Sequence, residues 1–180
     1  MGLRKANAYT HRKVVPFTRI SRRKGKSFVK VVPPQSIVKF TMGSQTAYNE
    51  GKLPHELTVY STEKAQIRHN ALEACRQYVN KKLNKELNGL YLFKVIPFPH
   101  HIQRENKMLT GAGSDRMQTG MQLSFGKSMG KAAIVKKGSK LFFLALPNEK
   151  GLKLARDALH EIKAKLPCKT KIVYENKTKK

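Results

Sequence analysis

The side chains best equipped for chemistry in this chain of 180 residues are its cations, since 37 Lys and Arg stand against 11 Asp and Glu for a formal net charge of +26. A chain this basic repels itself unless a polyanion neutralises it, and each Lys or Arg set on a phosphate releases condensed counterions. Nucleic acid is therefore the first candidate partner. The charge is also unevenly placed. Arg4, Lys5, Arg12, Lys13, Arg19, Arg22, Arg23, Lys24, Lys26, Lys30 and Lys39 all precede the first carboxylate, Glu50. A block of one sign cannot pack on itself and waits for an opposite charge. Tyr9, His11 and Phe17 lie among these cations, where they could stack on bases or riboses while the cations hold phosphates.

Other fragments suggest catalysis or metal binding and fail on spacing. Gly126-Lys127-Ser128 echoes the end of a phosphate-binding P-loop, but Met121 stands where that motif needs its first glycine, and the residues that follow read as a strand. Gly111-Ala112-Gly113 lacks the third glycine of a dinucleotide fingerprint because Arg116 occupies its place. His100 and His101 are adjacent, so on a strand they face opposite ways and cannot share a metal; one is expected to pack inward and the other to meet RNA. The few carboxylates are scattered, with no obvious acid/base pair. Cys75 and Cys168 form neither a metal-spaced pair nor a disulfide framework, and Cys75 reads as a core thiol. These residues predict no catalytic centre, no cofactor and no metal. The chain shows no signal peptide, no apolar run of membrane-spanning length and no lipidation signal, so a cytoplasmic protein without membrane attachment is expected.

The elements that must position the cations follow from apolar patterning. Short runs at Ile37 to Phe40, Leu57 to Tyr60, Leu90 to Ile96, Met121 to Phe125, Ala132 to Val135, Leu141 to Leu146 and Ile172 to Tyr174 read as strands bounded by Gly, Pro and Asn. A helix capped by Ser61, with Glu63 in its first turn, would present Leu72, Cys75, Val79 and Leu83 on one stripe and stop at Asn88-Gly89. A second, capped by Asn148, would bury Leu152, Ala155, Leu159, Ile162 and Leu166 before Pro167. Each helix has one apolar and one charged face. The expectation is an α+β fold, a two-layer sandwich with two helices on a mixed or antiparallel sheet. Its parts would be a basic arm over residues 1–30, a body over 31–175 and a basic tail over 176–180.

Into the body is inserted a stretch without periodicity, residues 104–120. Structureless loops beyond about 12 to 15 residues are uncommon in compact domains and are mostly functional or disordered. Gly111, Gly113 and Gly120 permit close backbone approach, while Arg104, Lys107 and Arg116 offer phosphate contacts. The loop reads as a finger inserted into RNA, the arm as an RNA-penetrating extension. The plainer alternatives are a floppy hairpin connection and a solubilising tail. Val14, Val15, Pro16 and Phe17 argue against the tail, because pure tails are poor in such residues.

Asn106-Lys107-Met108-Leu109, then Gly111-Ala112-Gly113-Ser114-Asp115-Arg116-Met117-Gln118-Thr119-Gly120-Met121, then Phe125-Gly126-Lys127, closely resembles the large-subunit ribosomal protein family called L-ten-e in archaea and eukaryotes, the counterpart of bacterial L-sixteen. A weaker likeness runs through Leu3-Arg4, Ala6 and Tyr9, through Ala71-Leu72-Glu73-Ala74 and through Pro97-Phe98-Pro99-His100. The resemblance implies a structural, non-enzymatic protein seated in large-subunit (23S-type) rRNA near the 5S rRNA and central protuberance, beside the groove for the tRNA acceptor arm. Neighbouring large-subunit proteins and late assembly factors would be its other partners. It further implies that the loop approaches the peptidyl-transferase region, with Arg104, Lys107, Met108, Arg116 and Gln118 as the positions concerned. Lys127 and Lys131 join the arm cations as rRNA contacts. Two departures stand out: Ala8 occupies the place of a usual cysteine, and the chain ends soon after Tyr174, a short form that fits an archaeal source.

Overall fold

Leu141 to Leu146 is apolar without interruption, the pattern of a strand covered on both sides, and it forms the middle of a five-stranded antiparallel sheet. In the computed structural model, which describes residues 7–10, 15–18, 29, 31–105 and 126–177, the strands of this sheet are β1 (Thr41–Gly43), β2 (His55–Ser61), β4 (Leu92–Val95), β7 (Lys140–Leu146) and β8 (Thr170–Asn176). Their spatial order is β1-β4-β7-β2-β8. Leu57 and Phe93 both register against Leu144, and Phe93 and Phe142 pack with ring centroids 5.9 Å apart. The register slips once. Val59 pairs with Phe142 but Tyr60 pairs with Lys140, so Leu141 is a bulge residue that joins Phe142 in the core.

Two helices cover one face of this sheet. α3 (His69–Leu87) buries Leu72, Cys75, Val79 and Leu83, the expected stripe. It ends at Asn88, whose left-handed φ of 44° closes the last turn with a bond from its N–H to the Asn84 carbonyl, 3.2 Å. α4 (Glu149–Glu161) begins after Asn148 and tightens into a 3-10 turn over Ile162–Lys165, with Ala155, Leu159, Ile162 and Leu166 buried. Cys75 is fully buried, and burial pushes its thiol pKa up to about 12, as befits a core thiol. Two short helices complete the described set, α1 (Asn7–Thr10) and α2 (Gln45–Asn49).

The α+β two-layer reading holds, with local corrections. Ser61 is not a helix cap; it ends β2, and its hydroxyl donates to the Glu63 carbonyl (2.7 Å) in a tight bend. The next residues form β3 (Ala65–Arg68), because Ile67 is a core residue and Ala65 to Arg68 find a partner strand in Val135 to Ala132. Pairing across the chain overrides the local helical pattern there. Ile37 to Phe40 forms no regular strand, although the Phe40 carbonyl accepts the Val95 N–H at 2.8 Å, and β1 starts just beyond it. The expected strand at Met121 to Phe125 lies outside the described residues. The sheet is also divided. β3, β5 (His101–Glu105) and β6 (Lys127–Val135) make a separate three-stranded antiparallel sheet of order β3-β6-β5, and β6 runs on through a turn at Gly138 (φ 79°) into β7.

Candidate nucleic-acid interface

The small sheet is where the expected arm and loop meet. β5 leads into residues 106–125 and β6 leads out of them, so both ends of the loop are rooted here. Arg104 and Glu105, expected within the loop, complete β5 and register against Ser128 and Lys127. Lys107, Met108, Arg116 and Gln118 lie outside the described residues.

The described parts of the arm dock on the same sheet. Phe17 adds to the free edge of β5: its carbonyl accepts the Ile102 N–H at 2.8 Å, and its own N–H donates to Nδ1 of His101 at 2.9 Å. The Arg104 guanidinium lies 3.8 Å from the centroid of the Phe17 ring, a cation–π contact two residues along the same strand. At the opposite edge, the Arg68 guanidinium lies 5.0 Å from the Tyr9 ring. Ser128 Oγ donates to the Val31 carbonyl (2.9 Å), and the Ser36 N–H donates to Nδ1 of His69 (3.0 Å).

Both histidines serve as neutral acceptors. Burial, and then the charges of His100 and Arg104, lower His101 to about 4. Burial, followed by Arg68 and Lys131, lowers His69 from its ordinary range. Protonating either ring at Nδ1 would remove the lone pair that takes a backbone N–H, so each neutral ring fits its role. His69 has room because Gly130 has no side chain: a Cβ there would come within 3.3 Å of His69 Nε2. Inside the sheet, Gln103 Nε2 donates to Gln66 Oε1 at 3.2 Å, joining the outer strands across β6 through two buried amides.

Of the adjacent histidines, His101 packs inward, as expected of one of the two, and His100 is exposed. Among the described residues no group of His, Cys, Asp or Glu could hold a metal. Gly126-Lys127-Ser128 opens a strand rather than a helix, which excludes the P-loop geometry. Lys127 is exposed opposite Glu105, and Lys131 is half-buried opposite Ile102 and close enough to His69 to perturb it. Arg4, Lys5, Arg12, Lys13, Arg19, Arg22, Arg23, Lys24 and Lys26 lie outside the described residues. Sequence reading missed Arg68, His69 and the Gln66–Gln103 pair. Their partners are far away in the chain, 33 positions for His69 and 37 for the glutamines, so no local spacing signals them.

The small sheet thus holds Tyr9 and Phe17 of the basic arm at its two edges and roots the long insertion between β5 and β6. Comparison with known proteins shows the family to which this α+β body belongs. The family model for "Ribosomal protein L16p/L10e" matches residues 16–173. Proteins named "Large ribosomal subunit protein uL16" are 41% identical in Methanospirillum hungatei, over 84% of this chain and 87% of the relative, and 42% identical in Sulfolobus acidocaldarius, over 82% of each. The Methanococcus maripaludis protein of that name is 40% identical over 96% of this chain and 94% of its own. This chain belongs to the L16p/L10e family of ribosomal proteins. It is a structural ribosomal protein and not an enzyme.

Proposed function

We propose that this protein grips large-subunit rRNA at two places from one platform, with the arm over residues 1–30 and the loop over 104–120 entering RNA while the body fixes their separation. The protein is a structural constituent of the large subunit of the cytoplasmic ribosome, as its family and relatives indicate. The observation that carries the finer reading is the shared footing: Phe17 of the arm lies on β5, the strand that feeds the loop. A net charge of +26 supplies the electrostatic attraction, and anchoring both extensions lowers the ordering cost at binding. Arg4, Lys5, Arg12, Lys13, Arg19, Arg22, Arg23, Lys24, Lys26, Lys127 and Lys131 are assigned to rRNA. Lys107, Met108, Arg116 and Gln118, with Arg104 at their base, are assigned to the side facing the peptidyl-transferase region and the tRNA acceptor arm. The site in the subunit would be near the 5S rRNA and central protuberance, with neighbouring ribosomal proteins and late assembly factors as further partners.

The test is a salt titration of the full chain on deproteinised large-subunit rRNA. Log affinity should fall linearly with log salt, and replacing Arg22, Arg23 and Lys24 by Ala should make the slope shallower by about 0.7 to 0.9 for each phosphate left without its cation. Affinity insensitive to salt would overturn the reading.

A further inference from the structure

The five-stranded sheet has a second face, turned away from α3 and α4. At one end α2 closes it, with Ala47 and Leu53 packed on Leu92 and Ala145. Strand alternation gives this face two further cross-strand rows, of which the nearer is still partly under α2, since Tyr48 meets the Phe143 ring edge-on at 5.8 Å and Lys94 lies over Tyr48. Lys94, Phe143, Thr58 and Val173 form one, across β4, β7, β2 and β8. Lys140, Tyr60 and Lys171 form the next, across β7, β2 and β8. Lys140 and Lys171 are exposed; Tyr60, Phe143, Val173 and Lys94 are half-buried. Neither row contains a carboxylate. Glu56 and Glu175 sit in the row nearest α2, where Glu56 is held by Lys177 (2.6 Å) and by the Tyr48 hydroxyl (2.9 Å).

The second row depends on the bulge in β7. Without the extra residue, Leu141 and not Lys140 would stand opposite Tyr60. Bulges re-aim side chains in this way and are frequent beside functional sites. Directly opposed residues on neighbouring strands keep their Cβ atoms about 5 Å apart, so two ammonium groups can flank one aromatic ring. A protein interface disfavours lysine around its aromatic centre. A stacking ring between two phosphate-binding cations is instead the arrangement that tracks a single strand of nucleic acid.

We propose that this face is a separate RNA site, on which a base of unpaired rRNA stacks on Tyr60 while Lys140 and Lys171 take the flanking phosphates. The proposal rests on the rRNA-binding reading and adds a third contact surface to the arm and loop. It is tested by measuring affinity of the full chain for deproteinised large-subunit rRNA at fixed salt. Tyr60→Ala should weaken binding about tenfold, and Tyr60→Phe should bind as the unmodified chain does. Lys140→Gln with Lys171→Gln should weaken binding and make its salt dependence shallower, all variants melting as folded proteins. An arm variant, Arg22→Ala with Arg23→Ala, separates the two claims. If it alone weakens binding, the Tyr60 site is overturned and the two-part grip stands; if no variant weakens binding, both fall. Unchanged binding by the Tyr60 and lysine variants, combined with shielding of Lys140 and Lys171 from acylation in the intact subunit, would assign the face to a neighbouring protein and equally overturn the proposal.

Discussion

Arg104 lies over the ring of Phe17, 3.8 Å from its centroid, and so ties the end of β5 to a residue 87 positions earlier in the basic arm. The contact gives Arg104 work besides any phosphate it meets, since it holds the arm against the root of the loop. Phe17→Ala and Arg104→Ala should each lower protection of the Ile102 amide from hydrogen exchange. A double-mutant cycle should return a coupling of about 0.5 to 2 kcal/mol. Additive effects would show that the two side chains act independently.

His101 makes the same clasp dependent on pH. Its pKa is lowered from 6.5 to about 4 in the folded chain, so the unfolded chain binds the proton first as pH falls. The sign follows: stability from the neutral ring is fully present above about 6.5, declines as pH drops below it, and is gone by about 4. The whole interval corresponds to on the order of 3 kcal/mol. Between pH 7 and 4.5 the chain should lose denaturant stability, and His101→Ala should remove the part of that loss due to this ring, leaving the part due to His69, while costing stability at pH 7. His100 and Arg104 border the ring and belong in the same comparison.

Two glycines with positive φ should answer differently to alanine. At Gly43 (φ 85°) a Cβ would lie 1.9 Å from the Tyr91 carbonyl oxygen, whereas at Gly51 (φ 76°) it would meet nothing within 4 Å. Gly51→Ala should cost about 1 kcal/mol for the left-handed backbone alone. Gly43→Ala adds a backbone collision and should cost at least about 3 kcal/mol, read from urea unfolding midpoints. Equal costs would refute the close approach of β1 to Tyr91.

The thiols give a simple check on the core. With Cys75 buried and its pKa raised to about 12, and Cys168 raised by burial as well, neither should react with iodoacetamide at pH 8 in the folded chain. Both should react after unfolding. Rapid alkylation of Cys75 in native protein would contradict the packing of α3 on the sheet.

For the loop, Lys107→Ala with Arg116→Ala should impair tRNA accommodation or subunit maturation while leaving the melting temperature of the isolated protein unchanged. Unaltered translation and assembly with both replaced would rule out a functional role for the loop.

Much of the body was legible because periodicity reports burial. Leu141 to Leu146 and the stripe Leu72, Cys75, Val79 and Leu83 occupy the places their spacing implies. What was not legible depends on distant partners. Ser61 looks like a helix cap beside Glu63, but Ile67 gains more from pairing with Ala133 in the small sheet than from an earlier helix start. The division into two sheets is likewise invisible locally, since β6 passes from one to the other through a turn at Gly138. For the site, composition pointed to the arm and the lack of periodicity pointed to the loop, but nothing in either stretch announces Arg68 and His69 on one edge of the small sheet or the docking of Phe17 on His101, Ile102 and Arg104 at the other. Those contacts arise from long-range folding.

The central claim is that arm and loop enter rRNA together from one small sheet. A side-chain-resolution density map of the assembled large subunit containing this chain tests it most directly. Residues 1–30 and 104–120 should both be embedded in large-subunit rRNA, with Phe17 still seated between His101 and Arg104. A map with either segment in solvent or packed only on protein, or with Phe17 detached from β5, would contradict it.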